Sequence, residues 1–161
     1  MLKKEQIFSF PVILFIILSG INLLLLNLPL TNVLHYEFSA INGILQSFLG
    51  GLLAIDLAKK KSPNVAINYN IIPSHYKLFL IFTFSQFFIS FAFNALFQIC
   101  PFSEGIWFYF IVTVPSFFIG IVLGLFCFSL SNKFSYLIFT LFWLITLLAP
   151  LSELYLNPQI Y

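Results

Sequence analysis

Charge is what this sequence has least of. Asp, Glu, Lys and Arg together make up 7% of its 161 residues, and arginine does not occur at all. A soluble domain carries about a quarter charged residues. So few charges cannot cover a water-facing surface, so most of this surface must face lipid. The single aspartate, Asp56, excludes the carboxylate dyad of two-aspartate intramembrane proteases. No Gly-x-Ser-x-Gly elbow is present, and no Gly-x-x-x-x-Gly-Lys-Ser/Thr phosphate loop. The two cysteines, Cys100 and Cys127, fall near opposite ends of their apolar runs, too far apart for a disulfide. Neither has a neighbouring metal-ligand partner. The two histidines, His35 and His75, are expected on opposite faces of a membrane and cannot share a metal. No catalytic residue, cofactor or metal site is therefore expected. The net charge of +2 is small and local, and gives no case for a nucleic-acid partner.

What is present is apolar length. Hydrophobic residues make up 61% of the chain, and its mean hydropathy is +1.05. Five runs stand out: Phe8–Leu30, Phe38–Ala58, Leu78–Cys100, Ile106–Leu130 and Phe134–Pro150. A helix needs about 20 apolar residues to cross hydrocarbon, and the first four runs have them. The fifth is short and can be extended towards Tyr155. These runs are too long to be strands. The expected fold is all-α: a single polytopic domain over 1–161, a bundle of five transmembrane helices with short connections. The opening Met1-Leu2-Lys3-Lys4 resembles the start of a signal peptide, but the run that follows is too long and lacks a small-x-small cleavage site. It reads as a retained first span.

The lysines set the threading. Lys3 and Lys4 precede the first run, Lys59, Lys60, Lys61 and Lys77 lie between the second and third, and Lys133 lies between the fourth and fifth. The other connections carry no basic residue. This is the positive-inside pattern, so the N-terminus is expected in the cytoplasm and the C-terminus outside, in a membrane of the bacterial inner-membrane type. Tyr36, Trp107, Tyr109 and Tyr155 fall at expected outer ends, and Tyr69, Tyr76 and Tyr136 at inner ones, where amphipathic rings are favoured. Trp143 falls mid-span and is expected to fill a helix contact. Short connections at 31–37, 101–105 and 131–133 should make spans one and two, three and four, and four and five antiparallel neighbours. The inner loop, 59–77, mixes Pro63 and Pro73 with isoleucines, and suits a segment lying on the membrane surface or docking on a partner, or equally a solvated linker.

Three constellations remain. In span three, Gln86, Ser90, Asn94 and Gln98 recur every four residues and share one helix face. In span two, Asn42 and Gln46 lie one turn apart, at matching depth, so the two sets are expected to meet. Such a stripe is either interhelical hydrogen-bond glue or a polar pathway, and glue is the commoner outcome where no charge is present. Second, Gly43, Ser47 and Gly51, and likewise Ser116, Gly120 and Gly124, form small-residue ladders that let helix backbones approach. Pro115, just before the second ladder, can kink its helix. Third, His35, Glu37, Glu104 and Glu153 are expected on the outer side, where loop acids usually do no more than avoid hydrocarbon. Asp56 and Lys60 are spaced for an i,i+4 pair.

The expected partners are the bilayer and either another membrane protein or a second copy. Three functions follow. The first is a non-catalytic membrane subunit or anchor module of an envelope or transport complex. The second is a small-solute transporter or permease fragment using the polar face between spans two and three. The third is the membrane part of an enzyme whose catalytic portion lies beyond this chain.

Overall fold

A computed structural model describes residues 10–29, 31–61, 71–97 and 103–156. Regular structure among these residues is entirely helical. It runs α1 (Phe10–Leu26), α2 (Tyr36–Lys61), α3 (Ile71–Phe97), α4 (Ser103–Phe108), a π turn (Tyr109–Thr113), α5 (Val114–Leu130) and α6 (Ser135–Leu156). The π turn joins α4 to α5 without a break, so the bundle contains five rods. Three stretches are long and apolar enough to cross a membrane: Tyr36–Lys60, Lys77–Phe97 and Gly105–Leu130. Phe10–Leu26 and Ser135–Ala149 are apolar but shorter.

Much of the expected inner loop is helical instead. α2 runs on through Lys61 and α3 begins at Ile71, with 62–70 outside the described residues. Pro73 does not interrupt α3. It sits in the first turn of α3, where backbone N–H groups have no intrahelical acceptor and a missing one costs nothing.

The end of α1 is fixed by local capping. Asn27 Nδ2 donates to the Leu23 carbonyl at 2.7 Å, and the Asn27 and Leu28 amides donate to Leu24 and Leu25. The Thr31 hydroxyl adds a bond to the Leu25 carbonyl at 2.6 Å. Carbonyls that the helix leaves orphaned are thus satisfied within one turn, before Pro29 and the reversal into α2. The reversal is clamped from two sides. The Leu34 amide donates to Asn94 Oδ1 of α3 at 2.8 Å. The Leu34 carbonyl lies so close to Gly105 Cα that a side chain there would overlap it.

α2 is the hub, touching every other rod. Its closest partner is α5, because small residues face small residues. α3 sits closest to α1 and meets the fourth rod through ring contacts: Phe79 on Phe117, and Phe87 on both Tyr109 and Phe110. Ring size sets that wider spacing. Between lipid-exposed helices the hydrophobic effect gives little net drive, so van der Waals fit and hydrogen bonds select these pairs.

The interior is layered. One apolar cluster contains Leu14, Leu18, Leu53, Phe79, Phe82, Phe117, Ile121 and Phe139. The other contains Leu25, Leu26, Leu34, Phe38 and Tyr109. α1 contributes to both. Lys59 lies 4.1 Å from the centre of the Tyr136 ring, and Lys60 pairs with Asp56 at 2.7 Å, both at the end of the first cluster. The opposite end carries His35, 3.6 Å from Glu37, with the His35 and Tyr36 rings against Phe108.

Candidate functional site: a buried polar layer

Between the two apolar clusters lies a layer of uncharged polar side chains, all buried except the half-buried Ser19. Its first half joins α1 to α3. Asn22 Nδ2 donates to Gln86 Oε1 at 3.0 Å and approaches the Gln86 carbonyl at 3.2 Å. Gln86 Nε2 donates to the Ser19 hydroxyl at 2.9 Å. The Ser90 hydroxyl lies 3.1 Å from Asn22 Oδ1 and 2.9 Å from the Gln86 carbonyl, so one proton serves two acceptors. Asn94 Nδ2 donates to the Ser90 carbonyl at 2.9 Å, while its oxygen takes the Leu34 amide. The four-residue spacing on α3 puts these groups in a row, and Leu14, Leu18, Asn22 and Leu25 put Asn22 on the inward face of α1.

The second half joins α2, the π turn and α3. Gln46 Nε2 donates to the Tyr109 hydroxyl at 2.9 Å and lies 3.2 Å from Asn42 Oδ1. The Tyr109 hydroxyl donates to the Thr83 carbonyl at 2.9 Å. The Thr113 hydroxyl donates to the Ser39 carbonyl, also at 2.9 Å. The π turn explains why Tyr109 and Thr113 both face α2. Gly105, Tyr109, Thr113 and Phe117 are buried at strict four-residue spacing, a repeat that drifts off the face of a 3.6-residue helix. One wider turn holds it in place. The Val114 amide reaches back to the Tyr109 carbonyl, the i→i−5 bond of such a turn. Pro115 follows at once. It has no N–H to donate, and loosening of the preceding turn accommodates its ring.

Below this layer the two small-residue ladders meet each other. A Cβ built on Gly43 lies 3.2 Å from the Ser116 hydroxyl. One on Gly120 would overlap the Ser47 backbone, and one on Gly124 would lie 2.5 Å from the Gly51 carbonyl. Ser47 has a further role, because the Trp143 indole donates to its hydroxyl at 3.0 Å. The Trp143 ring also packs on Phe48, 4.8 Å between centres.

Several expectations are corrected here. Asn42, Gln46, Gln86, Ser90 and Asn94 are all buried, but the α3 stripe pairs with Asn22 and the 27–35 turn, whereas Gln46 bonds to Asn42 and to Tyr109. The reason is proximity: α3 packs closer to α1 than to α2. Gln98 lies outside the described residues. Tyr109, expected at the interface, is fully buried, whereas Trp107 is 70% exposed. Sequence reasoning missed Asn22, Ser19 and Thr113. Asn22 carried a usable signal, since a lone amide inside an apolar helix must find a partner. Thr113 carried none, because its position depends on the π turn.

Chemically, the layer offers amides and hydroxyls in an apolar surround. These orient and hold; none can ionise to move a proton near neutral pH. Among the described residues no group of three His, Cys, Asp or Glu side chains could hold a metal. Glu104 and Glu153 have side chains outside those described. The chain matches no family model, and neither curated proteins nor solved structures give a significant match. Fold and layer together define a helical bundle with three membrane-length apolar helices and an uncharged polar interior.

Proposed function

We propose that the chain is a five-span membrane protein, with its lysine-bearing end in the cytoplasm, that serves as a non-catalytic module of a larger membrane assembly. The short rods belong to this reading. α1 contributes to both apolar clusters, and the α6 backbone extends 22 residues, about 33 Å at 1.5 Å per residue. The described lysines gather at one end of the bundle, as the positive-inside pattern requires.

One observation carries the functional reading: the amide stripe on α3 is spent on structure. Asn22, Gln86, Ser90 and Asn94 bond to one another and to the α1–α2 turn, which makes them a clasp for three helices. The rest of the bundle suits assembly. From Leu141 onwards the described α6 side chains are exposed or half-buried, a face that a partner helix or lipid would cover. Purification from native membranes in mild detergent, with mass measured by light scattering, tests the proposal. The expected result is a stoichiometric second polypeptide or a second copy beside the 18.5 kDa chain. A monodisperse single chain that moves solute in proteoliposomes would instead support the transporter reading. That alternative draws on the π turn before Pro115 and on unpaired polar atoms near it.

A further inference from the structure

Three buried polar atoms have no hydrogen-bond partner among the described residues: Ser39 Oγ, Asn42 Nδ2 and Gln46 Oε1. All three residues are 0% exposed and lie on α2 at i, i+3 and i+7, hence on one face. That face looks at the π turn, since Thr113 bonds to the Ser39 carbonyl and Tyr109 takes the Gln46 amide. A buried amide or hydroxyl left unpaired is strongly disfavoured, and three together within two helical turns are not an accident of packing.

Their chemistry specifies the occupant. Asn42 Nδ2 is a donor, Gln46 Oε1 is an acceptor and Ser39 Oγ is both. A cation would need oxygens only, and an anion donors only. A mixed set without charge fits a neutral molecule that donates and accepts at once. This character does not depend on how the amides are oriented. The single Tyr109 proton goes to the Thr83 carbonyl, so the hydroxyl must accept from Gln46, which fixes nitrogen on that side. Turning both amides over would again leave one donor and one acceptor unpaired. We infer that Ser39, Asn42 and Gln46 form a buried hydration site that holds one or two water molecules against the Tyr109–Thr113 π turn. Such a site suits a subunit and a transporter alike. The water completes the hydrogen bonding of α2 opposite the one turn of the fourth rod that departs from α-helical geometry.

X-ray radiolytic footprinting of the full chain in nanodiscs tests it, because bound water generates hydroxyl radicals in place. Tyr109 and Phe117 are equally buried, and only Tyr109 borders the site. After correction for intrinsic ring reactivity, Tyr109 is expected to be labelled several-fold faster than Phe117. Asn42→Leu should abolish the excess by filling the site and removing its donor. Labelling of Tyr109 no faster than Phe117 in the parent protein overturns the inference. Should Asn42→Leu fail to fold, Ser39→Ala carries the comparison, since it removes only an unpaired hydroxyl. A reduced Tyr109 excess with a lower Tm supports the water site. An unchanged excess with a Tm at or above the parent's means the hydroxyl was dry, and overturns it.

Discussion

Replacing Gly120 by alanine adds one methyl at the tightest glycine contact between α2 and α5. That methyl would lie 2.7 Å from Ser47 Cα and closer still to the Ser47 carbonyl. Carbon atoms pack at about 3.5–4 Å, so α2 and α5 must part by on the order of 1 Å. Backbone atoms cannot rotate aside as a side chain can. Overpacking of this kind costs about 1–3 kcal/mol. Alanine also removes the helix penalty of glycine, worth up to about 1 kcal/mol, so the raw change understates the clash. Gly20 supplies the correction. It lies in α1, exposed, with nothing within 4 Å of its built Cβ, so Gly20→Ala reports the propensity gain alone. Gly43 falls between the two: its Cβ would meet the Ser116 hydroxyl at 3.2 Å, and that hydroxyl can turn away.

The expected order of stability is therefore Gly20→Ala, then Gly43→Ala, then Gly120→Ala. The outer two should differ by about 1–3 kcal/mol, or roughly 2–12 °C in Tm for a chain of this size. Tryptophan fluorescence in mild detergent is a suitable assay, because Trp143 lies on Ser47 and senses any separation of α2 from α5. If Gly120→Ala melts together with Gly20→Ala, the α2–α5 contact is looser than described and the packing argument fails.

Other expectations concern threading and the polar layer. Reporter fusions at Lys61 and at Tyr161 should show opposite sidedness, cytoplasmic for the first; the same sidedness at both would sink the five-span reading. Asn22→Leu leaves the buried Gln86 Oε1 without its donor and Ser90 with the Gln86 carbonyl alone, and should cost about 1–3 kcal/mol. A double-mutant cycle of Asn22 with Gln86 should give a coupling of about 0.6–1.7 kcal/mol, whereas simple additivity would mean the bond contributes nothing. Asn94→Leu orphans the Leu34 amide, and a loss of about 1–3 kcal/mol is expected; a neutral result would show that the α1–α2 turn is held by other contacts. Trp143→Phe and Ser47→Ala should each cost about 0.5–1.5 kcal/mol, and the double variant no more than the larger single one if the indole–hydroxyl bond is their shared term.

The helical class and the inward positions were legible because they follow from residue type at helical spacing. Gly43, Ser47, Gly51, Ser116, Gly120 and Gly124 announce a close approach wherever they occur, and the bundle sets one ladder on the other. Asn94 and Gln86 announce burial in the same way, since lipid offers an amide nothing. What spacing does not encode is which neighbour receives them. The sequence pairs span three with span two, by depth. The bundle pairs it with span one, because phenylalanines on α3 hold the fourth rod at ring distance while Ser19 and Asn22 let α1 come close.

Tyr109 shows the deeper reason. In a regular helix its place near the start of the apolar run makes it an interfacial anchor beside Trp107. The π turn alters that. It keeps Gly105, Tyr109, Thr113 and Phe117 on one face, and so carries a hydroxyl inward to Gln46 and Thr83. Proline marks where such a turn becomes favourable but does not dictate it, because a kinked α-helix would also accommodate Pro115. The choice rests on partners 26 to 74 residues away in sequence: Thr83 and Gln46 for Tyr109, and Ser39 for Thr113. A local feature decided by distant hydrogen bonds cannot be read from local sequence. The unpaired atoms of Ser39, Asn42 and Gln46 depend on that same turn, and local sequence encodes them no better.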